Sequence, residues 1–336
     1  MKTILERSSE NAEPAKITVI VPVKNEATKI GRCLEALLAQ SHPPCEIIVV
    51  DGHSTDKTVE VAERYPVRVL YEDIGTRAGA NKIGIKNAQG DYIAFTDADC
   101  IPDRNWLRNL MKEFDGNVVG VGGAIHNVAN SAWEESINLA MESFLGSAQS
   151  VQGRVFKTKR TVSSISGCNS VYKKEALMQV GGFDEGLPTA EDTELNRRLR
   201  EIGPLVYTPD AIISHNHTRG LREFTKRTYQ YGYGKGKCLI RDLQLIPPIA
   251  LVAILFLPLI SVWAFLLMIV LYFSVLIGYT SIICWRSRKH KHFGRILVTF
   301  VAEHVAYTLG IWKGLGSWVL DSVRSSKRSA RPTQEG

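Results

Sequence analysis

The chain has 336 residues, 45% of them hydrophobic, and a formal net charge of +7, which allows one large domain and an appendage. Its six cysteines form no C-x-x-C pair, which argues for a reducing compartment and against structural zinc. The basic excess gathers at 219–241 and 286–295, on either side of an apolar stretch, with no nucleic-acid recognition motif; an anionic membrane surface suits that charge better than nucleic acid does.

Residues 1–15 are polar, without the apolar core of a secretory signal, and are read as a loose tail. Ile17 to Val23 is an apolar, largely β-branched run of the kind that forms a fully buried parallel strand. Ala27 to Gln40 shows helical spacing, and Cys45 to Asp51 is a second buried strand that ends in an acid. Lys57 to Tyr65 predicts a helix, Val67 to Tyr71 a strand, and the Gly-rich loop from Gly75 to Asn81 opens a further helix. Strand and helix in alternation predict an α/β, Rossmann-like, mostly parallel sheet, in which ligands bind beyond the carboxyl ends of the strands.

The next strand, Tyr92 to Phe95, runs straight into Asp97 and Asp99. Two residues apart on an extended segment, their side chains leave on one face. Such a pair makes a hard-oxygen site for Mg²⁺ or Mn²⁺ with positions open to a diphosphate; the alternative is a solvated turn that caps the helix after Pro102-Asp103. Arg77 and Asn81, on the Gly-rich loop at a helix start, suit phosphate. Further on, 118–124 predicts a strand, 133–148 a helix, 153–164 a basic loop and 173–180 a helix. Leu187-Pro188-Thr189-Ala190-Glu191-Asp192 opens a helix to about Ile202, where Asp192 either satisfies the helix start or serves as a base there.

The ordered set Val21-Pro22-Val23-Lys24-Asn25-Glu26, Asp51-Gly52-x-Ser54-Thr55-Asp56, Asp97-Ala98-Asp99 and Glu191-Asp192 resembles family 2 glycosyltransferases of the GT-A fold, over roughly residues 16–240 of an expected catalytic domain at 16–242. The segment Tyr229 to Lys237, running into an apolar C-terminal region, is most similar to the succinoglycan-biosynthesis glucosyltransferase branch. The Gln-x-x-Arg-Trp motif of processive synthases is missing, its place taken by Arg219, Arg222 and Arg227, which favours transfer of one sugar. The resemblance implies a nucleotide-sugar site at Pro22, Asn25, Glu26, Asp51, Arg77, Asn81, Asp97 and Ala98. It also implies a metal on Asp99, with Asp97 beside it, and Asp192 as the catalytic base, with Glu191 in support. His215 and His217 are candidate further metal ligands, and Arg219 and Arg222 candidate clamps for a diphosphate or lipid phosphate; an ordinary strand-end histidine pair and a solvated basic face are the alternatives.

Leu243 to Trp285 carries no charge for over forty residues, long enough for a transmembrane hairpin over about 245–285 with its turn near Pro258 to Ala264. Basic residues at both ends put those ends, and the catalytic domain, on the cytoplasmic side. Residues 296–320 are expected to form an interfacial or third membrane helix, because Glu303, His304 and Lys313 would be costly at the bilayer centre, and 321–336 a basic tail. The sequence therefore predicts a multi-pass, membrane-anchored, metal-dependent, inverting glycosyltransferase. It would move one sugar from a UDP-sugar to a lipid-linked acceptor. The alternatives are a polyprenyl-phosphate sugar synthase and an inactive membrane scaffold of the same fold.

Overall fold

The structure, a computed structural model, describes residues 15–147, 155–216, 220–240 and 245–329. His217, Arg219, residues 1–14 of the expected N-terminal tail and residues 330–336 of the expected C-terminal tail lie outside the described residues; residues 321–329, expected as tail, instead continue the last helix. In chain order the elements are β1 (Ile17–Val23), α1 (Ile30–Leu38), β2 (Glu46–Asp51), α2 (Thr58–Ala62), β3 (Arg68–Tyr71), α3 (Arg77–Asn87), β4 (Tyr92–Phe95), β5 (Cys100–Pro102), α4 (Trp106–Met111), β6 (Gly120–Asn127), α5 (Ala132–Met141), α6 (Phe144–Ser147) and β7 (Arg160–Val162). After them come β8 (Ser170–Lys173), α7 (Lys174–Gln179), α8 (Glu191–Leu199), β9 (Leu205–His215), α9 (Leu221–Lys237), α10 (Ile246–Phe256), α11 (Val262–Ser287) and α12 (Phe293–Ser329).

The described strands form one sheet in the order β3-β2-β1-β4-β8-β6-β9-β5, with β7 alongside β9. β3, β2, β1 and β4 run parallel. The second half is mixed, because β8 pairs antiparallel to both β4 and β6 while β6 runs parallel to β9. The parallel half is the part that strict strand–helix alternation announces. Beyond β4 the alternation lapses, since β4 is followed by β5 and β7 by β8 with no helix between them, so strand directions there are not announced by crossover helices.

Both faces of β1 are buried, which is why its sequence is an unbroken apolar run. Val19 and Val21 pack with Leu34, Leu37 and Trp106 on one side; Ile20 packs with Ile85, Leu195 and Leu199 on the other. A Cβ on Gly84 would stand 2.7 Å from Ile20 Cδ1, so α3 lies close on the sheet only because that position is glycine. The chain turns back at β1: β2 and β3 lie to one side of it and β4 to the other. β4 accompanies β1 only as far as Ile20, paired with Phe95, whereas β2 continues to Asp51 opposite Val23. Pro22, which lacks a ladder donor, sits in the stretch that has lost its β4 neighbour, and a crevice opens there.

At the C-terminal end, Pro247-Pro248 opens α10 and the expected turn falls at Leu257–Ser261, where a short 3-10 segment ends and the Ser261 side chain caps α11. The two limbs are unequal. α10 has 11 residues, about 16 Å, too short to cross about 30 Å of hydrocarbon. α11 has 26 residues, about 39 Å, and is the one helix among the described residues long and apolar enough to cross. The 296–320 stretch belongs to a single helix, α12. It returns antiparallel along α11, with Tyr272 hydroxyl against His304 Nδ1 at 3.0 Å and the Tyr279 and Phe300 rings 6.1 Å apart. Just before its start, His292 docks on α5: its Nε2 lies 3.0 Å from Glu135 and its Nδ1 lies 2.8 Å from Ser136 Oγ. Its later turns pack along α9.

Candidate active site

A cleft of about 420 Å³ lies where β1 and β4 part, at their carboxyl ends. Pro22, Glu26, Arg77, Asp97, Ala98, Asp99, Glu191 and His215 line it, all of them positions singled out in the sequence. This is the crevice at which an open α/β sheet reverses strand order and binds ligands.

Each wall has a local cause. Asn25, at φ +57, takes the left-handed conformation that asparagine tolerates, and its Oδ1 accepts from Thr55 N at 2.7 Å. That knits the turn after β1 to the turn after β2 and aims Glu26 into the cleft, where Lys29 lies 3.2 Å away. Asp51 is 1% exposed and does not line the cleft; its carboxylate accepts from Ser54 N at 2.8 Å and Ser54 Oγ at 2.5 Å, a self-contained capping turn. The Gly-rich loop before α3 is braced by buried Glu72, which accepts from Ile74 N and Gly75 N, while Thr76 Oγ1 accepts from Gly79 N at 3.0 Å to cap the helix. Arg77 is thereby the first residue of α3 and points into the cleft. Asn81, one turn further, is 1% exposed and away from the lining; its Oδ1 has no hydrogen-bond partner among the described residues.

Arg77 Nη2 lies 2.5 Å from Asp97 Oδ1, and Nη1 lies 3.7 Å from Glu191. Burial pushes Asp97 up to about 6, with Arg77 opposing the shift. Burial, then repulsion from Asp192, pushes Glu191 up to about 7, again with Arg77 opposing. His215, the cross-strand partner of Cys100, lies 3.1 Å from Asp99 Oδ1. Burial works against a charged imidazole there, but hydrogen bonds to Asp99 and Cys168 carry it up to about 9. Burial also opposes ionisation of Asp99, yet its hydrogen bond to His215 leaves its carboxyl below the ordinary range.

Ligand atoms of Asp97, Asp99, Cys100 and His215 lie within 4.8 Å of one another. Two carboxylates and an imidazole converging at the mouth of a cleft form a donor set that fits Mg²⁺ or Mn²⁺, imidazole being the better ligand for Mn²⁺. Asp99 and His215 are the members not committed to Arg77.

Asp192 sits just behind this surface rather than on it. Its oxygens accept from Gly167 N at 3.1 Å and Thr193 N at 2.7 Å, and Glu191 is the neighbour that reaches the cleft. Ala190, at φ +62, makes the left-handed turn that delivers both acids to the first turn of α8. Arg222 is exposed and outside the cleft; Arg227, one turn and a half along α9, lines it instead, held by Glu223 at 2.9 Å. Glu72 and Glu223 line the cleft without having been singled out in the sequence; Arg227 stood there only as one of three arginines in place of the processive motif, and Gln230 and Tyr231 only within the 229–237 segment, none of them as a site residue. The Glu223–Arg227 spacing was a legible helix pair, but only the docking of α9 turns that pair toward the strand ends.

Comparison with known proteins gives a consistent set of likenesses. Residues 18–181 match the family model described as glycosyl transferase family 2. A succinoglycan biosynthesis protein, ExoA, of Rhizobium meliloti is 25% identical over 334 residues, 92% of this chain and 97% of that one. A dolichyl N-acetyl-alpha-D-glucosaminyl phosphate 3-beta-D-2,3-diacetamido-2,3-dideoxy-beta-D-glucuronosyltransferase of Methanococcus voltae is 29% identical over 238 residues, 66% of this chain and 73% of that one. Among solved structures, a mannosyltransferase from Pyrobaculum calidifontis in complex with GDP-Man and Mn²⁺ has the same fold, with a TM-score of 0.59 at 20% identity over 88% of each chain.

Proposed function

Because the chain carries a family 2 glycosyltransferase domain of the GT-A fold, we propose that it transfers a single sugar, with inversion, from a nucleotide-diphosphate sugar to a lipid-linked saccharide at a membrane surface. The observation that carries this reading is the convergence of Asp97, Asp99, Arg77, Glu191 and His215 on one cleft at the strand-order reversal. UDP is the nucleotide proposed first, from the family resemblance. The lipid-linked acceptor is supported by the dolichyl-linked substrate in the Methanococcus relative's name and by the apolar α11.

In this reading the base and ribose lie along Pro22 to Glu26 and the 51–54 turn. The diphosphate faces Arg77 and Arg227. Asp99 and His215 would hold a divalent ion, with Asp97 beside them. A bound Mg²⁺ or Mn²⁺ would supply Lewis-acid neutralisation of the departing diphosphate. The acceptor hydroxyl attacks the anomeric carbon from the side of α8 as the bond from that carbon to the diphosphate oxygen breaks, and its proton passes to Asp192. A second assignment of the base rests on geometry: Glu191 lines the cleft, and a carboxyl near 7 suits proton abstraction at neutral pH.

Nucleotide release is measured for a panel of UDP-, GDP- and dTDP-sugars with Mn²⁺ and a lipid extract, for wild type, Asp99→Asn, Asp192→Asn and Glu191→Gln. Turnover of one donor that chelator and Asp99→Asn abolish supports the transferase. The acid whose loss removes turnover without weakening nucleotide binding is the base. Turnover surviving both changes at 191 and 192 makes a lipid phosphate the acceptor. Absence of both release and metal-dependent nucleotide binding overturns the reading in favour of an inactive scaffold.

A further inference from the structure

α9 has two working faces. Toward the cleft it presents Glu223, Arg227, Gln230 and Tyr231. On another side it meets α12 through four glycines, two per helix at i, i+4: Gly232 and Gly236 on α9, Gly310 and Gly314 on α12. A Cβ on Gly232 would collide with the carbonyl oxygen of Tyr307, and one on Gly236 with that of Ile311. From the other helix, a Cβ on Gly310 would collide with the carbonyl oxygen of Tyr229, and one on Gly314 with that of Tyr233. All four collisions are with backbone, which cannot rotate away, so the helices run in parallel at a separation only glycine permits. Side chains flank this seam: Lys313 Nζ lies 5.9 Å from the Tyr229 ring centroid, and Lys237 lies 3.9 Å from Asp321.

The chain of contact continues past α9. A Cβ on Gly234 would collide with the Thr189 carbonyl oxygen, and Thr189 Oγ1 donates to the Gln230 carbonyl at 2.6 Å. Thr189 is two residues before Glu191. α9 is thus wedged between α12 and the loop that carries Glu191 and Asp192, with the cleft opening at its side.

We infer that α12 is a structural part of the cleft wall, and that Gly310 and Gly314 are positioning residues for the transfer: their close approach sets α9, and α9 sets both Arg227 and the 187–191 loop. The inference rests on the transferase reading for its kinetic consequence, though not for its structural one. It implies that the helix packed against α11 fixes the catalytic geometry, so seating of the C-terminal helices and competence of the cleft are one event.

The test uses the full chain in detergent or nanodiscs, with Gly310→Leu, Gly314→Leu and the smaller Gly310→Ala. Gly294→Leu and Gly316→Leu serve as controls, since nothing lies within 4 Å of a Cβ at either site. Amide exchange over 221–237, thermal unfolding, Mn²⁺-dependent UDP binding, and KM and kcat for the donor are measured. The expected result is at least tenfold faster exchange in α9 and at least a tenfold rise in donor KM for the two leucine variants. Exchange in β1, β2 and β4 stays as in wild type, Gly310→Ala falls between, and the controls stay within twofold. Should the leucine variants not fold, Gly310→Ala alone decides: faster α9 exchange with a raised KM supports the inference, and wild-type values for both overturn it. Leucine variants with wild-type exchange and KM overturn it as well, as does a loss of activity that only follows the folded fraction. A wild type that binds no nucleotide removes the transferase reading, while α9 exchange still reports on the seam.

Discussion

At the scale of single residues, the site is a contest between burial and pairing. Glu191 is buried and Asp97, Asp99 and Arg77 are partly so, and a charge withdrawn from water is tolerated only with a partner. Arg77 answers Asp97 and Glu191; His215 answers Asp99. Glu191 is under-compensated, since Asp192 adjoins it, and its value near 7 lies above the 4.5 of an ordinary glutamate. The native state therefore binds this proton more tightly than the unfolded chain. The resulting stability is full below about 4.5 and is lost as pH rises to 7. Glu191→Gln, in chelator, is expected to raise Tm over wild type at pH 8 and to leave it nearly unchanged at pH 5; an equal gain at both would show that no such proton exists. Asp99→Asn is expected to lower kcat/KM for the donor about 10²–10³-fold, read by nucleotide release, with the thermal transition of the metal-free protein intact.

At the scale of elements, positions matter because the sequence places them at ends. Arg77 reaches the cleft as the first residue of α3, a start fixed by the Thr76 cap and by the Glu72 brace. Thr76→Ala removes the cap and is expected to cost about 1 kcal/mol by denaturant unfolding, together with a raised donor KM because the Arg77 turn loosens. On α3's inner face, Gly84→Leu forces a side chain into Ile20 and is expected to destabilise by about 1–3 kcal/mol. β1, β2, β4, α1 and the acids at strand ends were legible because period and turn chemistry are local properties. The orientation of α9 was not. Its helix pattern shows neither which side would meet glycines of a helix some eighty residues later nor that Arg227, rather than Arg222, would turn to the strand ends.

For the whole molecule, α11 raises the question of what covers it. Trp263 and Trp285 are 80% and 73% exposed near its two ends, with a mostly exposed apolar face between them. They are 22 residues apart in the sequence, about 33 Å along the helix, close to the hydrocarbon thickness of about 30 Å. The basic run from Arg286 follows the second tryptophan, and Lys289 there lies 2.6 Å from Glu135 on α5, so the catalytic domain docks at the basic end. Val275→Arg, near the middle and half exposed, is expected to cost about 2.5–3.5 kcal/mol of insertion and to shift the protein out of the carbonate-resistant membrane fraction. Trp285→Arg, at the margin, is expected to leave it there.

The sequence by itself marked the likeness to glycosyl transferase family 2, the GT-A fold and the order of the motifs, because each rests on short-range chemistry: runs that must be buried, turns that need asparagine or glycine, acids at the ends of strands. It also marked the apolar C-terminal stretch and its bend at Pro258. Tertiary structure decided the rest. It put Glu191 in the cleft with Asp192 behind, paired His215 with Asp99 across β5 and β9, and shortened α10 below a bilayer's span. It also gave surroundings to two of the three groups that looked costly in a membrane helix: Lys313 lies over Tyr229 of α9 and His304 meets the Tyr272 hydroxyl, while Glu303 Oε2 has no hydrogen-bond partner among the described residues. Those outcomes depend on which surfaces meet across long stretches of chain, and no local pattern records that.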